Sequence, residues 1–258
     1  MKNPEGVENL KNILVSRNEA GVMVLSAFGK TTNQLEELVQ HIHRHDRQAF
    51  DDRLRQIKDY HWQIMDALFD EKDPVREVAG GYFLQLQEAF DHHREDYDFL
   101  YDQVICTGEL LSTSIVSAYL NRAGVNCRWV DVRNCLITDD LYREARVDWL
   151  QTQPLVEDVF QAAPGEVILT QGFIGGTRAG WSTSLGREGS DYTAAILANI
   201  LNASQVVIWK DVPGVLNADP RFFSGAEKLE KISYHEALEL SYYGAKIIHP
   251  KTIKPLQN

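Results

Sequence analysis

Residues 164 to 195, PGEVILTQGFIGGTRAGWSTSLGREGSDYTAA, have the types and spacing to bind a charged ligand. Gly172, Gly175, Gly176 and Gly180 fall within nine positions, more glycine than a connector needs unless backbone approaches something closely or takes positive φ. Ser190 or Asp191 then stands at a helix N-terminus, where unpaired N–H groups and the macrodipole favour an anion, phosphate above all. Arg187 adds a planar cation suited to a carboxylate or phosphate. Asp191 in the same place repels an anion unless a cation or ammonium group mediates. The combination suits a substrate carrying both charges, or a metal nucleotide. A glycine-rich surface loop ahead of a capped helix fits the same residues. Neither common nucleotide loop is present: GxxxxGKS and GxxxxGKT are absent, and no GxGxxG follows the strand.

Other reactive types recur where an apolar run ends. Ser26, Gly29, Thr31, Thr32 and Asn33 follow the run from Val22, which offers hydroxyl and backbone contacts at a strand's carboxyl end. Glu109, in Thr107-Gly108-Glu109 ahead of a helix, can hold a substrate ammonium group or simply favour the helix dipole. Lys210 to Arg221 contains Pro213-Gly214 and Asp219-Pro220, a rigid loop suited to a lid or nucleotide cradle. Lys246 follows the helix end at Gly244, where a solvated surface lysine is the plain alternative to a functional one. Of His41, His43 and His45 only the first and last share a helix face, which fits a solvated surface better than a metal site. Cys106, Cys127 and Cys135 are an odd number without CxxC spacing, which fits reduced core thiols rather than a disulfide frame or zinc site.

The elements that must position these groups can be read from capping and periodicity. Asn3 and Pro4 open a helix with Val7, Leu10, Ile13 and Leu14 on one face. Val22–Ser26 and Val167–Thr170 are continuously apolar, as in parallel sheets. From Gln34 to about Leu100 the period is helical, broken at Asp73-Pro74, and reads as a helical hairpin added to the α/β body. Val104–Cys106, Cys127–Val132 and Val206–Trp209 read as further strands. Leu110–Asn121, Tyr192–Ala203 and Ser233–Tyr243 read as helices. Such alternation predicts a mostly parallel sheet with the site at the strands' carboxyl ends.

Bulk properties narrow the class. At 258 residues and 29.3 kDa, 44% of them apolar, the chain can bury one large α/β core or two small ones. A net charge of -11 and a pI near 5.2 without any basic block oppose binding to nucleic acid or an anionic membrane. No signal-like start or membrane-length apolar run occurs, so the expected location is cytoplasmic.

Four separated blocks resemble aspartokinases of the amino-acid kinase superfamily, in that family's order: LSAFGKTTN at 25–33, TGE at 107–109, QGFIGGT with LGREGSDYTA at 171–194, and KDVPGV, NADPR and GAKIIHP within 210–250. The resemblance implies an α/β fold, a three-layer αβα sandwich with a mainly parallel central sheet. Residues 34–100 would be a helical insertion, 1–200 mainly an amino-acid-binding lobe and 201–258 mainly a nucleotide-binding lobe. It also implies transfer of the γ-phosphoryl group of ATP, with Mg2+, to the β-carboxylate of L-aspartate, the first step towards lysine, threonine and methionine. Ser26, Thr32, Glu109, Phe173, Arg187 and Ser190 would surround L-aspartate, Arg187 on a carboxylate and Glu109 towards the ammonium group. Gly175, Gly176, Lys210, Asp211, Leu216, Arg221, Lys246 and Ile247 would contact the nucleotide. Asp191 would organise the reacting lysines and the metal nucleotide, with Lys246 its catalytic partner, and Arg187, Asp191 and Lys246 would converge on one cleft. Leu216 stands where many members place an aromatic residue against adenine. Another kinase of the superfamily, or a non-catalytic binding and assembly fragment, is the alternative.

One departure bears on activity. Family members begin with a strand and a KFGGTS loop whose lysine stabilises the transferring group, and the sequence shows neither before Asn3, nor ACT domains after Asn258. By the resemblance the chain matches a catalytic domain trimmed at both ends. Loss of one preorganised donor lowers rates ~100 to 1,000-fold, so weak or no turnover is expected. A missing strand would also leave a sheet edge for another segment, or a second copy in a homodimer, to cover.

Overall fold

A computed structural model describes residues 1–17, 21–92, 96–210, 212, 214–219, 222–242 and 250–257. The chain divides into two compact units, Met1–Ser190 and Asp191–Asn258.

In the first unit, α1 (Pro4–Arg17) leads to β1 (Gly21–Leu25), and Asn3 Oδ1 accepts from Gly6 N at 3.2 Å, capping the helix as its sequence predicts. Four helices follow: α2 (Thr31–His43), α3 (Arg47–Leu68), α4 (Val75–Asp91) and α5 (Tyr97–Ile105). Along α3, Phe50, Leu54, Ile57, His61, Ile64 and Leu68 recur at three or four residues and are all buried. Asp46 caps α3 by accepting from Ala49 N at 3.1 Å, and Pro74 separates α3 from α4. Then come α6 (Thr107–Arg122), β2 (Cys127–Val130), β3 (Ile137–Thr138), α7 (Trp149–Val159), β4 (Val167–Gln171), β5 (Ile174–Thr177) and β6 (Ser182–Ser184). One apolar core joins Phe28, Phe50, Ile57 and Phe83 to Leu111 and Ile115 of α6 and Leu169 of β4, so the helical stretch shares its interior with the sheet.

The strands form a parallel sheet in the order β1-β4-β2 and a second in the order β3-β5-β6, in which β3 and β5 are parallel and β6 antiparallel. All five residues of β4 are buried, as expected of a central parallel strand covered on both faces. The fold is mixed α/β with a parallel sheet and many helices.

The second unit begins within α8 (Gly189–Ile200) and contains α9 (Tyr234–Tyr242) and α10 (Pro250–Ile253). Ala195, Ile196, Leu197 and Ile200 of α8 are buried, and the helix starts three residues before the predicted Tyr192.

Two predicted strands are corrected. Val104–Cys106 is helical: α5 runs through Cys106, itself in the helical region at φ -59°, into α6. All three residues are fully buried, and a short apolar run buried on every side does not distinguish strand from helix. Val206–Trp209 belongs to no strand among the described residues. Val207 is 45% exposed and Trp209 67%, so the run is not the buried strand its composition suggests. The strand predicted over Cys127–Val132 ends at Val130, and a 3-10 turn over Val132–Asn134 follows. Among the described residues no helix is long and apolar enough to cross a membrane. The three cysteines are buried free thiols.

Candidate functional site

Parallel pairing sets Leu25 opposite Gln171, so the chain leaves β1 and β4 at neighbouring points. Gly172 N donates to Leu25 O at 2.8 Å, and the Ser26 hydroxyl donates to Ser190 Oγ at 2.8 Å. A Cβ on Gly172 would lie 2.6 Å from Ser190 Cβ and 2.7 Å from its Cα, and one on Gly189 would lie 2.9 Å from the Cα of Phe173. These two glycines let Gly189 and Ser190 lie close against the end of β4. Phe173 at φ 71° and Glu188 at φ 55° take left-handed backbone, a strained arrangement that is seldom kept without a structural or functional use.

Beside this junction Glu109, in the first turn of α6, is 2% exposed. Its Oε1 accepts only a long 3.3 Å hydrogen bond from Ala27 N, and its Oε2 has no hydrogen-bond partner. Burial raises its carboxyl from 4.5 to about 8, against the smaller opposing effect of the Ala27 N–H and its own backbone. Thr31 Oγ1 is also buried without a partner. Gly108 keeps these groups close, since a Cβ there would be 3.1 Å from Ala27 Cβ and 3.5 Å from Thr31 Cγ2. An orphaned buried carboxyl oxygen is costly unless a cation or donor meets it. Ser26, Ala27, Thr31, Glu109 and Ser190 thus lie together around a buried carboxyl oxygen that has no partner.

The other predicted amino-acid contacts lie in the same unit. Thr32 is half-buried in the first turn of α2. Phe173 is half-buried directly after Gly172. Arg187 is exposed on the loop that leaves β6, a loop fixed at its start where Leu185 N donates to Phe173 O at 2.8 Å. Among the described residues no carboxylate pairs with Arg187. Gly175 and Gly176 lie in β5, where a Cβ on Gly175 would meet Leu136 O at 2.9 Å and one on Gly176 would collide with Arg133 O. The protein's own backbone occupies the space their missing side chains leave.

In the second unit, Asp191 in the first turn of α8 has Lys210 Nζ 2.7 Å from its Oδ2, an ion pair set off hydrogen-bond geometry. The two side chains are 16% and 22% exposed. Leu216 is half-buried and forms an isolated antiparallel bridge with Lys228. Asp211, Arg221, Lys246 and Ile247 lie outside the described residues. Among the described residues no three carboxylates, imidazoles or thiols gather as a metal cage. A cleft of about 690 Å³ lined by Thr138, Asp139, Tyr142, Arg146, Asp148 and Trp181 takes in none of the predicted site residues. It has the volume of a ligand pocket without the orphaned groups that mark the Glu109 region.

Sequence reasoning named Thr31 in the hydroxyl-rich turn after β1 but missed that its hydroxyl is buried without a partner. It also missed Asp102, which accepts from Arg143 N at 2.9 Å, Ser184 N at 2.8 Å and the Ser184 hydroxyl at 2.6 Å. No local pattern marks an aspartate whose partners lie 41 and 82 residues away.

A family model described as "Amino acid kinase family" matches residues 1–258. The chain is 32% identical over 268 residues to the bifunctional aspartokinase/homoserine dehydrogenase 2, chloroplastic, of Zea mays, covering 99% of this chain and 29% of that protein. It is 41% identical over 157 residues to lysine-sensitive aspartokinase 3 of Escherichia coli K12, covering 60% of this chain and 35% of that one. Among solved structures, E. coli aspartokinase III in complex with aspartate and ADP superposes with a TM-score of 0.86 at 32% identity, over 98% of this chain and 56% of that one. The chain thus spans under a third of the maize protein and, in the superposition, just over half of the E. coli structure.

Proposed function

Since the chain belongs to the amino acid kinase family, we propose that it acts as an aspartate kinase, moving the γ-phosphoryl group of ATP to the β-carboxylate of L-aspartate. The observation that carries the substrate is Glu109: a buried carboxyl with one bare oxygen, beside the Ser26–Ser190 contact, matches an amino acid's ammonium group. The E. coli relative, a complex with aspartate and ADP, supports the same ligands.

In this reading Glu109 holds the ammonium group and Arg187 a carboxylate, while Ser26, Thr32, Phe173 and Ser190 shape the rest of the amino-acid contact. The γ-phosphorus forms a bond to a β-carboxylate oxygen as its bond to the β,γ-bridging oxygen breaks, giving ADP and 4-phospho-L-aspartate. Two anions must meet, so the protein's task is alignment and charge neutralisation. The carboxylate is already ionised at neutral pH, and neither a covalent nucleophile nor a strong base is required. Lys210, held by Asp191, supplies positive charge to the phosphates, and Asp191 also orders Lys246 as the second reacting lysine. Gly175, Gly176, Asp211, Leu216, Arg221 and Ile247 complete the nucleotide contacts. Magnesium enters as the nucleotide's own chelate, consistent with its preference for phosphate and water ligands. The step opens lysine, threonine and methionine synthesis and is cytoplasmic.

The test is ATP-dependent formation of the acyl phosphate, trapped with hydroxylamine, together with calorimetric binding of L-aspartate and ADP to the same chain. Binding of both ligands is expected, with aspartate-dependent hydroxamate formed slowly or not above background. Failure to bind L-aspartate, or equal transfer to unrelated carboxylates, would sink the assignment.

A further inference from the structure

Asp102 is a carboxylate with no exposed surface, and none of the roles above uses it. It lies one turn before the junction of α5 and α6, with Glu109 seven residues further along that helical run. Its Oδ2 accepts from Arg143 N at 2.9 Å and Ser184 N at 2.8 Å, and its Oδ1 accepts from the Ser184 hydroxyl at 2.6 Å. Three donors satisfy a buried carboxylate that would otherwise be strongly unfavourable. Neighbouring residues extend the attachment: Gln103 Nε2 donates to Ser182 O at 2.9 Å, and Ser182 N donates back to Gln103 Oε1 at 3.1 Å.

Those donors belong to the frame of the Arg187 loop. Ala145 N donates to Ser184 O at 2.9 Å, which ties the Arg143 turn, at φ 70°, to the end of β6. Gly186, at φ 75°, lies against that turn, since a Cβ there would be 3.2 Å from Arg143 O. Between Ser184 and Ser190 the chain has only Leu185–Gly189. One end of this short loop is held by Asp102 and the other by the Ser26 hydroxyl. The helix that carries Glu109 is thereby fastened, through Asp102, to the base of the loop that carries Arg187.

We propose that Asp102 is a positioning residue that sets the separation of Glu109 from Arg187, and so selects the length of amino acid the site accepts. The inference rests on the assignment of Glu109 to the ammonium group and Arg187 to a carboxylate made under Proposed function, and takes that carboxylate to be the side chain's, the one whose distance from the ammonium group changes with chain length. A pair of charged anchors held at fixed spacing discriminates one methylene by about 10-fold or more, provided that neither anchor drifts.

The experiment is calorimetric titration of L-aspartate, of L-glutamate as the probe one methylene longer, and of ADP into the full chain and its Asp102→Asn and Ser184→Ala variants, with thermal melts alongside. The unmodified chain is expected to prefer aspartate. In Asp102→Asn the aspartate Kd should rise about 10-fold while the glutamate and ADP values hold, so that the aspartate-to-glutamate preference falls about 10-fold. Ser184→Ala keeps the carboxylate and both backbone bonds and should shift that preference in the same direction by less. The preference ratio does not depend on the folded fraction, so a merely structural role leaves it unchanged. An unchanged ratio in the folded variants, or parallel loss of all three ligands, overturns the inference while leaving the kinase reading intact. Should Asp102→Asn not fold, the ratio in Ser184→Ala decides alone. Failure of the unmodified chain to bind aspartate removes the kinase reading and this inference with it.

Discussion

L-Aspartate binding should expel a proton from Glu109. Burial holds the Glu109 carboxyl at about 8 in the unliganded chain, with Oε2 bare and only a 3.3 Å backbone donor on Oε1. At pH 7 about nine-tenths of unliganded molecules therefore carry the proton. A ligand ammonium group beside the carboxyl favours its ionised form, so each aspartate bound at pH 7 should release about 0.9 proton. The ionised fraction grows from about 1% at pH 6 to about half at pH 8, so the aspartate Kd should fall roughly 50-fold over that range. The sign is that of a raised carboxyl: its contribution to the stability of the unliganded fold is fully present below pH 4.5 and is lost as pH rises from there to about 8, while binding strengthens between pH 6 and 8. The assay is calorimetry at pH 7 in phosphate and in Tris, buffers whose ionisation enthalpies differ widely. The slope of observed heat against ionisation enthalpy counts the protons, and Glu109→Gln should abolish it. Binding with a slope near zero and a Kd flat from pH 6 to 8 would refute the assignment of Glu109 to the ammonium group.

Other measurements test other parts of the structure. Gly172→Ala puts a methyl group 2.6 Å from Ser190 Cβ, and overpacking of this kind destabilises by about 1–3 kcal/mol; it should lower the melting temperature and weaken aspartate binding together, and a variant with wild-type melting and affinity would contradict the close approach. His61 is fully buried, its Nδ1 2.7 Å from Ile57 O and its Nε2 without a partner, and burial lowers its pKa to about 4 from 6.5. Because the unfolded chain takes up that proton first, stability should drop by up to ~3 kcal/mol as pH falls from 6.5 to 4; urea titrations across that range should show the slope in the parent and lose it in His61→Leu. Lys210→Met leaves Asp191 without the ion-pair partner seen at 2.7 Å and should weaken ATP binding about 10-fold or more with aspartate binding unchanged; equal affinity for ATP would remove Lys210 from the nucleotide contacts.

Local chemistry was enough to identify several elements. Continuous apolar runs located β1 and β4; β4, buried along its whole length, has no polar side to interrupt it. Asn3 and Pro4 located α1, because capping is settled within one turn. The blocks around Thr107-Gly108-Glu109 and Gly186–Ala194 pointed to the amino acid kinase family, because ligand loops carry unusual residues at fixed spacings. Tertiary structure decided what lies between such blocks. Val104–Cys106 is helical because buried helix and buried strand present the same three apolar residues. Gly172 admits the close approach of Ser190, and Gly175 and Gly176 that of the backbone at Leu136 and Arg133. Glu109 has its raised pKa, and Asp102 its three donors, only after elements up to 82 residues apart close around them. The protonation and orientation of a carboxyl depend on which distant groups exclude water from it, and that is a property of the packed chain rather than of its neighbours in sequence.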